Sequence, residues 1–187
     1  MAVIGSGPGG SVTSYYLNNN KFKTILVESG KGYENSLEKH SSTELLNQWK
    51  YGGISSTIGN NFLQYSSGET FGGGSEINSG LINLPDEDFI NRLKNKFDIQ
   101  DISIDQINEN LKEIFKIMKI KKYQIKNTNL VNEFLKSNKR KIRIEKLKKF
   151  YSLVKSDLKK QSMSKTLLKD YINNNKLDIF RVLNHEL

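Results

Sequence analysis

Gly5-Ser6-Gly7-Pro8-Gly9-Gly10 is the stretch that decides the fold of this chain of 187 residues. It follows a short apolar run, Ala2-Val3-Ile4, and leads into a helix-like stretch from Ser11 to Leu17. A second apolar run, Thr24-Ile25-Leu26-Val27, then ends on Glu28. A glycine turn between a strand and a helix, with an acidic residue after the next strand, is typical of a dinucleotide-binding β-α-β unit. The order of these segments therefore predicts an α/β protein with a Rossmann-like unit.

The glycines of this turn have separate roles. Gly5 permits a sharp turn out of the first strand, and Gly7, which has no Cβ, lets a diphosphate approach the backbone. Gly10 lets the helix pack closely against the strand. The free N–H groups at the start of the helix, together with the helix dipole, favour an anion there. We therefore expect the turn to hold the diphosphate of a dinucleotide; the alternative is a glycine-rich turn that binds nothing.

Glu28 narrows the choice of dinucleotide. It follows Gly10 by 18 residues, close to the spacing of about 20 that is typical of the acid that contacts the adenosine ribose. A carboxylate at this place accepts a hydrogen bond from the ribose 2′-hydroxyl and repels a 2′-phosphate. The unit thus favours FAD or NAD over NADP, but the motif alone does not distinguish FAD from NAD.

A second glycine cluster lies between Gly68 and Leu81. It contains Gly72-Gly73-Gly74-Ser75, followed three positions later by Asn78. Successive glycines give a run of exposed backbone N–H groups with little side-chain bulk, and such a concave backbone suits anionic or polar ligand atoms. The alternative is a flexible loop, because glycine is also common in loops without any ligand.

Together the two clusters resemble the glucose–methanol–choline (GMC) family of flavin oxidoreductases. The residues that carry the resemblance are Gly5-x-Gly7-x-x-Gly10, Glu28-Ser29-Gly30 and Gly72-Gly73-Gly74-Ser75-x-x-Asn78. Many members have Gly-Gly-Ser-Ser where this chain has Gly74 at the first serine, which is a variant also seen in the family. The tract from Gln161 to Leu168 is similar to a family segment that precedes a helix and a later strand.

The resemblance implies an FAD-binding protein that takes a hydride from the CH–OH group of a small-molecule alcohol. The first turn would hold the FAD diphosphate, Glu28 the adenosine ribose, and the loop from Gly72 to Asn78 would lie along the diphosphate, ribityl chain and flavin ring. The cofactor-binding residues predicted in this way are Gly5, Ser6, Gly7, Pro8, Gly9, Gly10, Glu28, Ser29, Gly72, Gly73, Gly74, Ser75 and Asn78.

The catalytic part of the family is not matched in this sequence. Members have a catalytic histidine near the end of a much longer chain, whereas the histidines here are His40 and His185 and neither lies in a matching motif. We therefore assign no catalytic residue. We expect the chain to be the N-terminal portion of a flavoenzyme, an incomplete domain that binds FAD but is inactive by itself.

The predicted organisation is one partial FAD-binding domain over residues 1–187. Residues 1–30 form the β-α-β unit, and residues 31–160 are an insertion of loops and helices that covers the flavin. Residues 161–187 supply a return helix, predicted at Lys165–Asn173, and a strand at Leu177–Leu183 that joins the parallel sheet. Residues 31–85 are rich in Gly, Ser and Asn and are predicted to be extended loops around the ligand.

Two helices are predicted inside the insertion. One begins near Pro85-Asp86, because acidic residues suit a helix N-terminus and apolar residues follow at helical spacing. The other begins at Ser103, which forms a capping box with Gln106, and its apolar face comprises Ile107, Leu111, Ile114, Phe115 and Met118. A short helix over Asn129–Lys136 is a further expectation, and residues 139–160 fit either a strand or a helix.

The net charge of +9 is concentrated in one segment. Residues 136–160 carry 11 basic and 2 acidic side chains, whereas the rest of the chain is nearly neutral. A nucleic-acid-binding protein that uses this segment is therefore one alternative, although such runs are more often solvated faces and we do not expect nucleic acid as a partner. An NAD-dependent dehydrogenase is the other alternative, and it leaves the loop from Gly72 to Asn78 without a role.

Composition excludes several other kinds of site. Cysteine is absent, so the chain can form no disulfide and no thiolate metal site, and we predict no metal ligands. The sequence has no apolar run of about 18 residues that would indicate a membrane span, and no secretory signal precedes the first strand. We accordingly expect a cytoplasmic location and no membrane segment, while the oligomeric state stays open.

Overall fold

The computed structural model describes residues 1–31, 41–122, 151–152, 160–169 and 178–181. The elements along the chain are β1 (Ala2–Ile4), α1 (Pro8–Asn19), β2 (Ile25–Glu28), α2 (Ser42–Gln48), a 3-10 turn (Lys50–Gly53), β3 (Ser55–Ser56), β4 (Gln64–Tyr65), α3 (Gly74–Ile77), β5 (Leu81–Ile82), α4 (Glu87–Phe97), α5 (Ile104–Ile117), β6 (Lys121–Lys122), β7 (Tyr151–Ser152) and β8 (Asp178–Arg181). They fall into two compact units, one built from Met1–Gly80 with Gln161–Leu187 and the other from Leu81–Lys160.

A parallel sheet forms the centre of the first unit. Its strand order is β1-β2-β8, and both neighbouring pairs are parallel. Helix α1 connects β1 to β2, which is the predicted strand–helix–strand arrangement. Strand β8 lies within the predicted range Leu177–Leu183 and joins the sheet beside β2, as the sequence indicated. The protein is therefore a mixed α/β protein with a parallel sheet.

Apolar side chains pack between this sheet and the segments around it. The strand residues Val3 and Leu26 form a buried cluster with Phe71 and Leu168, which come from distant parts of the chain. Tyr15, Leu17 and Ile179 pack against the cluster. Burial of such side chains stabilises the fold by about 1.5–3 kcal/mol each, and here it also fixes the region around Phe71 next to the first two strands.

The prediction that residues 31–85 form extended loops is partly wrong. Residues Ser42–Gln48 form helix α2, whose N-cap Ser41 accepts a hydrogen bond from the Glu44 amide at 3.1 Å. Strands β3 and β4 pair as an antiparallel hairpin, and α3 forms one short helical turn. The prediction missed α2 because its apolar residues, Leu45 and Leu46, are adjacent and so do not repeat at helical spacing.

The return helix predicted at Lys165–Asn173 does not begin at Lys165. Residues 163–168 form consecutive hydrogen-bonded turns, and Lys169 is the first residue of this tract in a helical conformation. The Leu168 amide bonds to the Met163 carbonyl at 3.1 Å, a five-residue spacing that a regular α-helix does not have. The residues after Lys169, up to Leu177, lie outside the described part of the chain.

The second unit contains the two predicted helices and a small antiparallel sheet of order β5-β7-β6. Helix α4 begins after Asp86, whose side chain accepts from the Phe89 amide at 3.1 Å. Helix α5 begins after Ser103 with the predicted capping box to Gln106. Both starts are confirmed, and the apolar face of α5 is turned inward, with Ile114 and Met118 buried.

Other predictions concern residues that the structure does not describe. The short helix at Asn129–Lys136 lies outside the described residues, and so does the basic segment 136–160 except for Tyr151, Ser152 and Lys160. His40 and His185 also lie outside them. Among the helices that are described, none is both long enough and apolar enough to cross a membrane.

Candidate dinucleotide-binding site

The first glycine turn leaves β1 in a conformation that requires glycine. Gly5 has a φ of +88°, in the region that side chains with a Cβ seldom adopt. Its amide donates to the Val27 carbonyl at 2.7 Å, so the turn stays attached to β2 as it leaves the sheet. The chain then enters α1 with Gly7 as N-cap and Pro8 in the first turn, where a missing N–H is tolerated.

Gly10 brings α1 against the turn, as predicted. A Cβ built on Gly10 would collide with the carbonyl oxygen of Gly5 and would lie 3.4 Å from Cγ1 of Val3. The helix can therefore approach the first strand this closely only because residue 10 has no side chain. This contact fixes the direction in which the N-terminus of α1 points relative to β1.

The space in front of the turn is open. Within the part of the chain that the structure describes, a Cβ built on Gly7 or on Gly9 would meet no non-neighbouring atom within 4 Å. Gly7 provides no side-chain cap for α1, and within the described residues no acceptor bonds to the amides of Gly7, Gly9 or Gly10. Uncapped amides at a helix N-terminus attract anions because the N–H dipoles and the helix dipole point the same way.

Glu28 lies at the end of β2 and is buried, with 8% of its surface exposed. Its Oε2 accepts from the Ser6 amide at 2.6 Å and from the Ser6 hydroxyl at 2.5 Å. Its Oε1 accepts from the Gly30 amide at 2.7 Å. A carboxylate has about four acceptor sites, so three protein bonds leave room for one more. Ser29, the next predicted site residue, is exposed.

The second glycine loop is held closely by the rest of the unit. Gly72 and Gly73 have φ values of +96° and +56°, which favour glycine at both positions. The Gly72 amide donates to the Ser6 hydroxyl at 2.8 Å, and the Gly73 amide donates to the Thr70 carbonyl at 2.7 Å. The predicted run of exposed amides is therefore shorter than expected. Of the four amides from Gly72 to Ser75, those of Gly74 and Ser75 have no acceptor within the described part of the chain.

The two loops contact each other through their backbones. A Cβ built on Gly73 would lie 2.8 Å from Cα of Gly7 and 3.3 Å from its nitrogen. On the other side of the loop, a Cβ on Gly30 would lie 2.5 Å from the nitrogen of Thr70. These approaches are closer than real Cβ atoms allow, so glycines at these positions let the second loop lie directly on the first turn and on the end of β2.

Ser75 and Asn78 have different surroundings. The Ser75 hydroxyl donates to the Gly72 carbonyl at 2.7 Å and accepts from the Met163 amide at 3.0 Å. Asn78 is exposed, and its Oδ1 accepts from the Gly80 amide at 3.1 Å. Ser75 thus connects the loop to the Gln161–Leu168 tract. Sequence reasoning noted that tract only as a resemblance and did not predict this contact.

The residues present are consistent with a bound dinucleotide diphosphate. Among the described residues, a Cβ added at Gly7, Gly9 or Gly74 would have no non-neighbouring atom within 4 Å, so the side chains of these residues do not fill the space there. The free amides supply donors for an anion, and Glu28 retains acceptor capacity beside them. All the predicted site residues from Gly5 to Asn78 belong to the first unit.

The fold and these loops define a mixed α/β protein in which two glycine loops meet beside a parallel sheet. Comparison with known proteins agrees: a family model described as GMC oxidoreductase matches residues 45–184. The chain therefore belongs to the GMC oxidoreductase family. It is also 29% identical over 108 residues to the uncharacterized GMC-type oxidoreductase y4nJ of Sinorhizobium fredii (strain NBRC 101917 / NGR234). That match covers 57% of this chain and 21% of the relative, so the chain spans only a minor part of the relative's length.

Proposed function

We propose that this chain is the FAD-binding portion of a GMC-type oxidoreductase that acts on the CH–OH group of an alcohol donor. The observation that carries the proposal is the backbone contact between the two glycine loops, Gly7 with Gly73, beside open space at Gly7, Gly9 and Gly74. The match to the GMC oxidoreductase family over residues 45–184 supports FAD as the ligand rather than NAD.

The first turn is proposed to hold the diphosphate. The amides of Gly7, Gly9 and Gly10 donate to its oxygens, and Gly5 and Pro8 set the backbone that presents them. A diphosphate at the N-terminus of α1 is favoured by both hydrogen bonding and the helix dipole. No side chain is needed for this contact, which agrees with the absence of a basic residue from Gly5 to Gly10.

The remaining predicted residues are proposed to hold the two ends of the cofactor. Glu28 accepts from the adenosine ribose, and the exposed Ser29 lies next to it on the rim. The loop from Gly72 to Asn78 supplies free amides at Gly74 and Ser75 for the flavin half. FAD would supply the hydride acceptor, which is chemistry that a protein side chain cannot provide. We assign no catalytic residue to this chain, so turnover depends on parts of the family fold that are not matched here.

The proposed division of the chain follows from this function. Residues 1–30 supply the diphosphate turn and the ribose carboxylate, residues 31–160 cover the flavin and residues 161–187 return to the sheet. A small-molecule alcohol is the proposed substrate of the complete enzyme, and nucleic acid is not proposed as a partner.

The direct test is the visible spectrum of the purified chain before and after incubation with FAD. We expect flavin absorption bands that remain with the protein through gel filtration, and quenched flavin fluorescence on titration. The same titration with NAD⁺ is the comparison, since the sequence motif alone permits either ligand. Protein that stays colourless in excess FAD, or that is stabilised by NAD⁺ and not by FAD, would contradict the proposal.

A further inference from the structure

Ser6 lies at the centre of a hydrogen-bonded chain that joins the two glycine loops. It is fully buried. Its hydroxyl donates to Oε2 of Glu28 at 2.5 Å and accepts from the Gly72 amide at 2.8 Å. Its amide donates to the same Glu28 oxygen at 2.6 Å. One small side chain therefore contacts both the carboxylate at the end of β2 and the first amide of the second loop.

The direction of these bonds leaves the Ser6 hydroxyl little freedom. A serine hydroxyl has a single proton, and here that proton is donated to the carboxylate, so the oxygen is free to accept from Gly72. The reverse arrangement is excluded because an amide N–H cannot accept and an ionised carboxylate cannot donate. Hydrogen bonds to an ionised group are also stronger than neutral ones. The hydroxyl therefore holds Oε2 of Glu28 in one place.

The consequence for Glu28 concerns its free acceptor site. Oε2 has two protein donors from Ser6, whereas Oε1 has one, the Gly30 amide. The remaining capacity therefore lies on Oε1. If the Ser6 hydroxyl were absent, Oε2 would lose a donor and the Gly72 amide would lose its acceptor in a buried position. The carboxylate could then turn, and the second loop would lose its bond to the first turn.

We propose that Ser6 is a positioning residue that makes the site selective for ribose: it orients Glu28 so that Oε1 accepts the 2′-hydroxyl, and it ties that carboxylate to the second glycine loop through Gly72. This inference rests on the proposed function for its ribose ligand. The hydrogen-bonded chain itself involves only residues of this protein, so the coupling of Ser6 to Gly72 can be tested without any cofactor.

The matched control is Ser14. It is the same residue type, it is equally buried, it lies on α1, and its hydroxyl has no hydrogen-bond partner among the described residues. Ser14→Ala removes a buried hydroxyl with no bond to lose, which is expected to be neutral or slightly stabilising. Ser6→Ala removes a hydroxyl of the same size that makes two bonds. A difference between the variants therefore reports the bonds rather than the volume.

The first measurement compares the binding of ADP and 2′-deoxy-ADP by calorimetry to the full chain and to each variant. We expect the unmodified chain and Ser14→Ala to prefer ADP by about tenfold or more, the scale of a hydrogen bond to a charged group. In Ser6→Ala we expect the preference to fall to within about threefold, because both nucleotides then meet a mobile carboxylate. General destabilisation of the protein would weaken the binding of both nucleotides alike and leave the ratio of the two affinities unchanged. A full preference in Ser6→Ala would overturn the proposal.

The second measurement follows hydrogen exchange of the Gly72 amide in ligand-free protein. We expect exchange at least about tenfold faster in Ser6→Ala than in Ser14→Ala, since the amide has lost its acceptor. Equal exchange in the two variants would overturn the coupling even if no nucleotide binds. If the unmodified chain does not bind ADP, the proposed function and the role of Ser6 in ribose selectivity are refuted. Fast Gly72 exchange in Ser6→Ala would in that case still support the hydrogen bond between Ser6 and Gly72. Should Ser6→Ala not fold, Ser6→Cys takes its place with the same criteria, because a thiol of similar size donates only weakly.

Discussion

Gly73 lies against Gly7 so closely that a Cβ on the former would come within 2.8 Å of the Cα of the latter. The two residues are 66 positions apart in the sequence, and each belongs to a different glycine cluster. Their contact means that the clusters form one continuous backbone surface. A ligand held by the first turn would therefore lie next to the second loop without any movement of the chain.

Because of this contact, we expect alanine to lower stability at Gly73 and to have little effect at the adjacent Gly74. Gly73→Ala introduces a Cβ into the backbone of Gly7 at a φ of +56°, so we expect the free energy of unfolding to fall by about 1–3 kcal/mol. Gly74→Ala is the control, because its Cβ would meet no atom within 4 Å and it begins helix α3. Urea denaturation of both variants checks this, and equal stability of the two would contradict the described contact.

Gly7→Val is expected to abolish flavin retention while leaving the chain folded. A Cβ at Gly7 meets no non-neighbouring atom of the described residues within 4 Å, but the larger side chain would occupy the space proposed for the diphosphate. The measurement is the ratio of flavin to protein absorbance after gel filtration, with circular dichroism to establish folding. Thr13→Val, an exposed position on the same helix, is the control and should retain flavin. Unchanged flavin content in Gly7→Val would contradict the proposal that this turn binds the diphosphate.

Glu28→Ala is expected to weaken the binding of ADP by about 1–3 kcal/mol, the scale of hydrogen bonds to a charged group. The change also removes the acceptor of the Ser6 and Gly30 amides, so the free energy of unfolding should fall as well. Calorimetric titration below the unfolding temperature separates the two effects. Glu87→Ala, an exposed acid on α4, should change neither quantity, and an ADP affinity unaltered in Glu28→Ala would exclude Glu28 from the site.

Ser103→Ala tests the start of helix α5. The Ser103 hydroxyl accepts from the Gln106 amide at 3.2 Å, and the Gln106 side chain accepts from the Ser103 amide at 3.0 Å. Loss of an N-cap serine lowers the free energy of unfolding by about 0.5–2 kcal/mol, and chemical denaturation followed by helix ellipticity measures it. The exposed Ser79→Ala is the control, expected to change stability by less than about 0.5 kcal/mol. Equal effects of the two would show that the cap does not stabilise the helix.

Local sequence signals predicted much of this fold. The strand–turn–helix–strand order predicted β1, α1 and β2, and the capping box predicted the start of α5, because each of these patterns lies within a few residues. The apolar run near Leu177 similarly predicted β8. Helix α2 was missed although Ser41 and Glu44 have the spacing of a capping signal. A seven-residue helix whose apolar residues are two adjacent leucines has no apolar periodicity to detect.

The arrangement of the candidate site was less accessible from sequence. The glycines of both loops could be identified, since their spacing follows a known pattern. The contact between Gly7 and Gly73 could not, because a close approach of distant backbones leaves no local signal. The bonds of Ser6 to Glu28 and Gly72 were missed for the same reason, and so was the bond between Ser75 and the Met163 amide. Each depends on tertiary packing around Phe71 and Leu168 rather than on neighbouring residues.

The pairing of β2 with β8 has a consequence for how the protein acquires its fold. The paired residues, such as Ile25 and Asp178, are about 150 positions apart. Pairing so distant in sequence requires closure of a very long loop, which slows folding and leaves the edge of β2 uncovered in the meantime. During synthesis on the ribosome, β2 cannot pair with β8 until about 150 further residues have emerged, so early intermediates of this protein are expected to be good substrates for chaperones.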